Sequence, residues 1–277
     1  MPAGTCRRGR ARILARVLAF VREVSAEIAR CELTHLERAV IDPRRAALQH
    51  RAYVAALRSL GCRLEWLPSL PAHADGVFVE DTAVVVPEVA LITRPGVDSR
   101  RGETASVAAT LAAHVPVLHV SAPACLEGGD VLRIGRVLYV GTSGRTNTAG
   151  VAQLAAHLAP FGYRVTAVAM SGCLHLKSAC TFIAPETLLV NPSWVDPAAF
   201  AAARVIEVDE TEPYAANTLS VAGATLVSTA YPRTNERLVR AGVTTRALDV
   251  SELHKAEAAL TCMSLLLEPA RELIRAQ

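Results

Sequence analysis

Short apolar, β-branched runs alternate along the chain with longer amphipathic stretches, a pattern typical of strands interleaved with helices. Asp42 before Pro43, with Gly61 after the last apolar position, predicts one helix over residues 43–60. The other predicted helices cover residues 99–114, 146–160, 197–203 and 235–241. The predicted strands cover residues 17–22, 63–67, 77–86, 89–93, 117–120, 131–134, 137–141, 164–168, 175–183, 187–190, 205–208, 219–221, 225–228, 245–248 and 260–267.

The order strand, strand, helix, strand recurs about five times, as repeated modules in an array or a closed ring do. A doubly wound parallel sheet is the alternative, because strands that alternate with helices also fit it. No glycine-rich dinucleotide fingerprint follows any strand, and paired strands before each helix favour a hairpin-bearing module. We therefore expect one α/β domain over residues 17–277, preceded by a disordered basic tail at residues 1–16 that contains five arginines.

Composition narrows the class of protein. The 277 residues are 51% apolar, which suffices for a large core, and the net charge of +3 is too small and too dispersed for a nucleic-acid binder. The apolar run at residues 13–21 is too short to span a membrane and is interrupted by Arg16. The seven cysteines include no C-x-x-C pair, so we expect free thiols, no structural zinc and a cytoplasmic location.

Two acidic motifs are unusually polar for their surroundings. Glu80 and Asp81 are adjacent within an apolar predicted strand, so one of them should face inward and need a partner, unless both lie solvated at a strand end. Glu127-Gly128-Gly129-Asp130 places two glycines between acids, which permits close approach of another group, although an ordinary turn has the same composition.

Two further motifs carry reactive side chains. His175 lies in Leu-His-Leu-Lys-Ser and Cys262 in Thr-Cys-Met-Ser. Taken singly, each is more typical of a core histidine or an inert packed cysteine. Together with several carboxylates they supply a thiol nucleophile, a proton-transfer group and anions that hold a planar guanidinium, which indicates attack on a cationic carbon.

Read in order, these four motifs resemble the dimethylarginine dimethylaminohydrolases of the guanidine-modifying (pentein) superfamily. Matching segments occur at residues 92–96, 99–101, 144–147 and 215–217, and the similarity runs from about residue 18 to 267. The resemblance implies a five-bladed α/β propeller of ββαβ modules. It also implies cleavage of a guanidine C–N bond in methylated arginine, through a covalent S-alkylthiouronium and without a metal or organic cofactor.

The resemblance also implies residue roles. Cys262 is expected to be the nucleophile, His175 the general acid and base, and Glu127 a carboxylate that contacts the guanidinium and orients the histidine. The expected substrate-binding residues are Leu33 on a mobile loop, Asp75 and Glu80 on the α-amino side, Asp81 at the guanidinium, Arg100 and Arg145 at the α-carboxylate, and the backbone carbonyl of Ala256.

Two segments depart from the family pattern. The loop at residues 31–36 differs from well-known members, and Glu257 stands where an aspartate is common. Both lie at the substrate rim, so the alternatives are hydrolysis of arginine or another substituted guanidine, an amidinotransferase, and a non-catalytic binding module of the same fold. The expected partner is a small guanidino amino acid, and a homodimer is a further expectation, since family members are often dimers.

Overall fold

The computed structural model describes residues 17–183 and 186–269, so the predicted basic tail lies outside the described residues. Within these ranges the strands are β1 (Leu18–Val21), β2 (Arg63–Trp66), β3 (Ala83–Val86), β4 (Val89–Ile92), β5 (Val117–His119), β6 (Val131–Ile134), β7 (Val137–Gly141), β8 (Arg164–Val168), β9 (Cys180–Ile183), β10 (Thr187–Val190), β11 (Arg204–Glu207), β12 (Leu219–Val221), β13 (Ala224–Ser228), β14 (Thr245–Leu248) and β15 (Leu265–Leu267). The α-helices are α1 (Pro43–Ser59), α2 (Thr104–Leu111), α3 (Thr148–Leu158), α4 (Leu176–Ala179), α5 (Pro232–Arg240) and α6 (Ser251–His254).

The described strands form five three-stranded sheets with one shared topology. In each sheet the central strand pairs antiparallel with one neighbour and parallel with the other, as β4 does with β3 and β5. In the sheets centred on β4, β7, β10 and β13 the antiparallel partner directly precedes the central strand in the chain, whereas the parallel partner follows after a longer crossover connection. The α/β class predicted from the sequence is therefore confirmed. An α-helix connects the parallel strands in four of these five sheets, whereas the helix predicted at residues 197–203 is only a 3-10 turn at Pro197–Ala199.

The first sheet joins distant parts of the chain. Its central strand β1 pairs antiparallel with β15, with Ala19 opposite Leu266, and parallel with β2. The side chains of β1 are buried throughout, which explains its uninterrupted apolar sequence. Residues near both ends of the described chain thus share one sheet.

The long helix α1 begins where its sequence predicts. The carboxylate of Asp42 accepts hydrogen bonds from the backbone N–H groups of Arg44 and Arg45, at 2.9 and 3.3 Å, and Pro43 occupies the first helical position. The helix ends at Ser59, one residue before the predicted end. Its buried face packs into a core cluster that also contains Val21.

Three predicted strands are shorter than the sequence suggests. Residues 79–82 form a 3-10 turn before β3, residues 176–179 form the short helix α4 before β9, and residues 260–263 form a turn before β15. In each segment a backbone N–H group donates to a residue far along the chain, as that of Glu80 does to the carbonyl of Cys262. The predicted helix at residues 99–114 is likewise divided into a 3-10 segment at 98–103 and α2.

Five strands that begin the modules, β3, β6, β9, β12 and β15, surround a cavity of about 200 Å³. Among them β15 packs beside β3, and β9 packs beside β6 and β12. The buried apolar side chains of the described residues form separate clusters around this centre. None of the helices within the described ranges has the length and apolar character needed to cross a membrane.

Candidate active site

His175 occupies the junction between an extended segment and helix α4. It has extended backbone angles and precedes the first helical residue, so its ring is set by the start of the helix. The N–H of Leu176 donates to Oδ1 of Asp130 at 3.1 Å, and the carbonyl of His175 accepts from the Ser178 N–H at 3.0 Å. The histidine is 5% exposed, and the hydrogen bonds of its carbonyl and of the following N–H group fix its position.

Two carboxylates face the two nitrogens of this imidazole. Nε2 of His175 lies 2.7 Å from Oε2 of Glu127, and Nδ1 lies 3.8 Å from Oδ1 of Asp81. Both acids are buried. The other oxygen of Glu127 accepts from the Gly96 N–H at 3.0 Å, and Asp81 accepts from the Gly129 N–H at 3.1 Å. The backbone thus fixes the carboxylates that orient the ring.

This charge pattern sets the protonation state of the histidine. Burial alone lowers the pKa of His175, but the negative charges of Asp81, Asp130 and Glu127 outweigh burial and raise it to about 9. Burial also favours the protonated form of Asp81, whereas His175 and Arg100 more than offset this and lower its pKa. At neutral pH the ring is therefore an imidazolium between two carboxylates and can donate a proton.

Cys262 lies in the turn before β15, which is tied to the 3-10 turn that carries the acids. The carbonyl of Cys262 accepts from the Glu80 N–H at 3.1 Å. The preceding residue, Thr261, exchanges two hydrogen bonds with the amide side chain of Asn217, at 3.0 and 3.1 Å. The turn is consequently held at both its backbone and its side chains.

The thiol of Cys262 is protonated at neutral pH. Burial raises its pKa to about 12, and the nearby carboxylates of Glu80 and Asp81 add to that effect. The N–H of Ala259 donates to Sγ at 3.4 Å and opposes the shift. A cation placed next to the sulfur would favour the thiolate, which is the reactive form.

Both reactive side chains line one cavity of about 20 Å³, in which little more than one water fits. The structure thus brings the predicted nucleophile and proton-transfer residue to the same space. The lining residues are Glu32, Asp75, Phe78, Asp81, Arg100, Arg145, Leu174, His175, Ala256, Glu257, Ala258 and Cys262.

Arg100 lines this cavity but is engaged by its own neighbours. It donates to Asp81 at 2.5 Å and to the carbonyl of Phe78 at 2.9 Å, and it binds Glu103 through Nε and Nη2. Arg100 and Glu103 are both buried, and the acids raise the pKa of the guanidinium against the opposing effect of burial. Arg100 is therefore a fixed positive charge behind Asp81.

Arg145 and Asp75 line the same cavity and bond to the loop at residues 31–36. Nη1 of Arg145 lies 3.6 Å from Oε1 of Glu127, and its Nη2 donates to the hydroxyl of Thr34 at 3.0 Å. Asp75 accepts from the Glu32 N–H at 3.1 Å. Burial raises the pKa of Asp75 to about 6, although Arg100 opposes the shift.

Two predicted substrate-binding residues, Glu80 and Leu33, do not line this cavity. The carboxylate of Glu80 is turned away from the cavity of Cys262 and bonds to Nζ of Lys177 and to the hydroxyl of Thr261, both at 2.6 Å. It lines the central cavity instead, and burial raises its pKa against the charge of Lys177. Leu33 is half-buried and packs against the core cluster of α1.

The two glycines of the acidic motif are required by close approach. A Cβ at Gly129 would lie 2.6 Å from Nδ1 of His175, and one at Gly128 would lie 2.0 Å from the carbonyl oxygen of Glu80. Any side chain there would displace the imidazole or the acidic turn. The close approach predicted from the glycines is confirmed.

One ligand atom each from Asp81, Glu127 and His175 lies within 4.8 Å of the others, a spacing that could also suit a divalent cation. These donors already bind Arg100, Arg145 and the backbone N–H groups of Gly96 and Gly129. The carboxylates of Asp81 and Glu127 are thus already paired with arginine side chains.

Three acids at this site were assigned no role from the sequence. Glu103 binds Arg100 from three residues away, Asp130 bonds to Ser143 at 2.6 Å and to the Leu176 backbone, and Glu257 bonds to the loop at residues 31–36. The spacing of Arg100 and Glu103 was a usable signal, since residues three apart meet on a helical turn. The partners of Asp130 and Glu257 are too distant in sequence to be inferred.

Comparison with known proteins adds a family to this geometry. The family model described as "N,N dimethylarginine dimethylhydrolase, eukaryotic" matches residues 26–225. An N(G),N(G)-dimethylarginine dimethylaminohydrolase of Streptomyces coelicolor is 41% identical over 252 residues, covering 90% of this chain and 96% of the relative. The protein of the same name from Pseudomonas aeruginosa is 36% identical over 226 residues, covering 81% and 89%.

Solved structures agree with the sequence relatives. A cysteine-to-serine variant of the Pseudomonas aeruginosa protein, complexed with citrulline, superposes with a TM-score of 0.86 at 32% identity over 92% of this chain and all of that one. A histidine-to-glycine variant of a dimethylarginine dimethylaminohydrolase, solved as an adduct with S-methyl-L-thiocitrulline, superposes with a TM-score of 0.85 at 32% identity. The N-terminal domain of ArgZ, a cyanobacterial arginine dihydrolase, shares the fold at 18% identity, with a TM-score of 0.83 over 92% of this chain and 98% of that one.

Proposed function

This chain belongs to the dimethylarginine dimethylaminohydrolase family, and on that premise we propose that it hydrolyses Nω-methylated arginines to citrulline and dimethylamine or methylamine. The observation that carries the proposal is the single cavity lined by Cys262, His175 and Asp81, with Glu127 behind the imidazole. A sulfur nucleophile, a protonated imidazole and buried carboxylates are the groups that guanidine hydrolysis requires.

In the first step the Cys262 thiol loses its proton to solvent as the cationic substrate binds, and the thiolate bonds to the guanidinium carbon. The tetrahedral adduct collapses as the C–N bond breaks, its electron pair stays with the departing nitrogen, and the His175 imidazolium protonates that nitrogen. The amine leaves and a covalent S-alkylthiouronium remains on the cysteine. The pKa of about 9 for His175 means that the proton needed for this step is present at neutral pH.

In the second step the neutral imidazole of His175 takes a proton from water as the oxygen bonds to the same carbon. The C–S bond breaks, sulfur leaves as a thiolate, the proton of the new hydroxyl passes to solvent, and citrulline is released. The imidazolium is restored, so the cycle consumes one water and needs no other reactant. No organic cofactor or metal enters this proposal.

The cationic substrate has a second role, because the pKa of the Cys262 thiol is raised to about 12. A guanidinium seated beside Asp81 in the cavity of Cys262 places positive charge next to the sulfur and favours its ionisation. The same carboxylate helps to fix the planar group with its carbon facing sulfur, which lowers the orientational barrier. Binding and activation are thereby coupled.

The other end of the substrate is assigned to the cavity mouth. Arg145 would contact the α-carboxylate directly, and Arg100 would contribute charge through its fixed position, since its N–H groups bind Asp81 and Glu103. Asp75 and the carbonyl of Ala256 would accept from the α-amine, Leu33 would lie on the loop that covers it, and Glu80 would position the turn of Cys262.

We also propose a propeller fold, a small-molecule partner, a homodimer and a cytoplasmic location. Five sheets of one topology around a central cavity support a five-bladed propeller. The family's small guanidino substrates support a small-molecule partner rather than nucleic acid. The homodimer is predicted because family members are often dimers. The cytoplasmic location is predicted because the sequence lacks a disulfide pattern.

The proposal is tested by incubating the protein with asymmetric dimethylarginine, monomethylarginine, arginine and agmatine, and by measuring citrulline and released amine. We expect turnover of the methylated arginines, loss of turnover in Cys262→Ser, and retention in the matched control Cys125→Ser, whose thiol lies outside the cavity. Citrulline from arginine alone would overturn the methylarginine assignment. A new guanidine formed only with an added amine would indicate an amidinotransferase.

A further inference from the structure

Glu257 stands at the edge of the active-site cavity in an unusual conformation. Its φ of 53° lies in the left-handed region, which is uncommon for a residue other than glycine. Its neighbours Ala256 and Ala258 line the cavity with it. Such a conformation persists only where surrounding contacts determine it, and it often marks a functional position.

The carboxylate of Glu257 binds three consecutive backbone N–H groups of the loop at residues 31–36. Oε2 accepts from Thr34 at 2.8 Å, and Oε1 accepts from both His35 and Leu36. The partners are more than 220 positions apart in the chain. Charge-assisted bonds of this kind are stronger than neutral ones, so one side chain holds half of the loop.

The same loop covers the cavity through three further contacts. The Glu32 N–H donates to Asp75 at 3.1 Å, the Glu32 carboxylate accepts from the Ser99 hydroxyl at 2.6 Å, and the Thr34 hydroxyl accepts from Arg145 at 3.0 Å. Glu32 itself lines the cavity. The loop is therefore the roof of the site.

A guanidino amino acid cannot enter the cavity of about 20 Å³ unless this roof moves. Asp75 and Arg145 are the groups that the substrate is proposed to engage, so their bonds to the loop are exposed to competition by the substrate. Glu257 binds only backbone N–H groups of the loop in the described structure, and the substrate's amine and carboxylate do not need it. It is the contact best placed to keep the loop closed while substrate is bound.

We propose that Glu257 is a positioning residue that fixes the loop at residues 31–36 in its closed position and thereby sets the apparent affinity for substrate. It touches no reacting atom in this account. The inference rests on the proposed function for its kinetic consequences, whereas its structural consequence, a less protected loop when the carboxylate is altered, is independent of any activity.

The test compares Glu257→Gln and Glu257→Asp with Glu236→Gln, a matched change at an exposed acid on α5. Backbone hydrogen exchange is measured across the whole chain, and Cys262 is titrated with neutral iodoacetamide. In Glu257→Gln one carbonyl oxygen replaces two charged ones, so we expect exchange at Thr34, His35 and Leu36 to rise by at least about tenfold. Alkylation of Cys262 should accelerate, because the roof is displaced more often.

With methylated arginine as substrate, we expect KM to rise by about tenfold or more in Glu257→Gln, and kcat to fall by a smaller factor, because apparent affinity scales with the closed fraction. Glu257→Asp should give smaller changes of the same direction, and Glu236→Gln none. Unchanged exchange at residues 34–36 would overturn the inference, as would faster exchange throughout the molecule or slower alkylation. Absence of turnover in the parent protein would instead refute the proposed function and leave the exchange and alkylation results to decide this one.

Discussion

Nε2 of His175 lies 2.7 Å from Oε2 of Glu127, and both groups are almost fully buried. An imidazolium at this 5% exposed position is largely shielded from solvent, so the carboxylate stabilises its charge together with Asp81 and Asp130. The pair links two parts of the chain that are 48 residues apart. Replacing Glu127 by glutamine changes the charge of this pair with little change in side-chain shape.

We predict that Glu127→Gln will lower kcat/KM for methylated arginine by about 10²- to 10³-fold, within the range ascribed to a positioned acid–base group. The neutral amide removes one of the charges that raise the pKa of His175, so that pKa should fall from about 9 toward its ordinary value. NMR titration of the imidazole measures it directly. An unchanged histidine pKa in a folded variant would contradict the assignment of Glu127 as its partner.

The second prediction concerns the ionisation of the nucleophile. Because the pKa of the Cys262 thiol is raised to about 12, its alkylation by neutral iodoacetamide should keep rising with pH beyond 10. An ordinary free cysteine levels off about one unit above its pKa of about 8.5. Rates measured by mass spectrometry from pH 7 to 10.5, with Cys125→Ser to remove a competing thiol, decide the question. A plateau below pH 9 would show that the thiolate is stabilised in the protein without substrate.

The third prediction concerns the cost of keeping Asp75 charged. Its pKa in the folded protein is about 6, above its usual value of 3.8, so the folded state binds the proton more tightly than the unfolded state. The stability that this provides is fully present below pH 3.8 and is lost as pH rises through 6. Asp75→Asn should therefore raise the free energy of unfolding by roughly 3 kcal/mol at pH 8, and by much less at pH 4.

Urea unfolding at the two pH values checks the Asp75 prediction, and activity should fall in the same variant because an amide is a poorer partner for the α-amine. Equal stabilisation at both pH values would mean that the carboxylate charge is not what destabilises the native state. Asp98→Asn, at an exposed position, is the matched control.

The fourth prediction concerns the ion pair beneath the nucleophile turn. Lys177 and Glu80 lie 2.6 Å apart, and Glu80 also accepts from Thr261 next to the cysteine. Lys177→Met leaves a buried carboxylate with one partner fewer, which should destabilise the fold by about 3 kcal/mol. The double variant Lys177→Met with Glu80→Gln should recover part of that loss.

Thermal and urea unfolding measure this cycle, and Arg240→Met at the exposed pair with Glu236 should cost less than about 1 kcal/mol. If both lysine and arginine variants lost equal stability, the buried pair would have no special role. We also expect Lys177→Met to slow alkylation or turnover at Cys262, since the turn that it supports would be less well fixed.

The periodic part of the fold could be predicted from the sequence, because each strand or helix carries its own apolar period. The repeated ββαβ order followed from that period, and the cap at Asp42 placed α1 to within one residue. The three misassigned segments are those that carry the site. At Thr82, for example, the hydroxyl bonds to the Val79 carbonyl at 2.6 Å and closes a buried 3-10 turn, although apolar residues precede and follow this turn as they do in a strand.

The candidate site was predictable only where residue type limits the chemistry. A histidine, a cysteine and paired acids could be selected, whereas the direction of a side chain depends on contacts far along the chain. Glu80 and Asp81 diverge because one meets Lys177, 97 residues away, and the other meets the imidazole and Arg100. Likewise nothing near Glu257 in sequence indicates that its partners are 221 to 223 positions distant.

The pairing of β1 with β15 has a consequence for biosynthesis. Cys262 lies three positions before the start of β15, and both are synthesised long after β1. A chain whose translation stops before this region therefore has an incomplete first sheet and lacks its nucleophile at the same time. Completion of this sheet and arrival of the nucleophile coincide, so such a truncated product cannot act on guanidines.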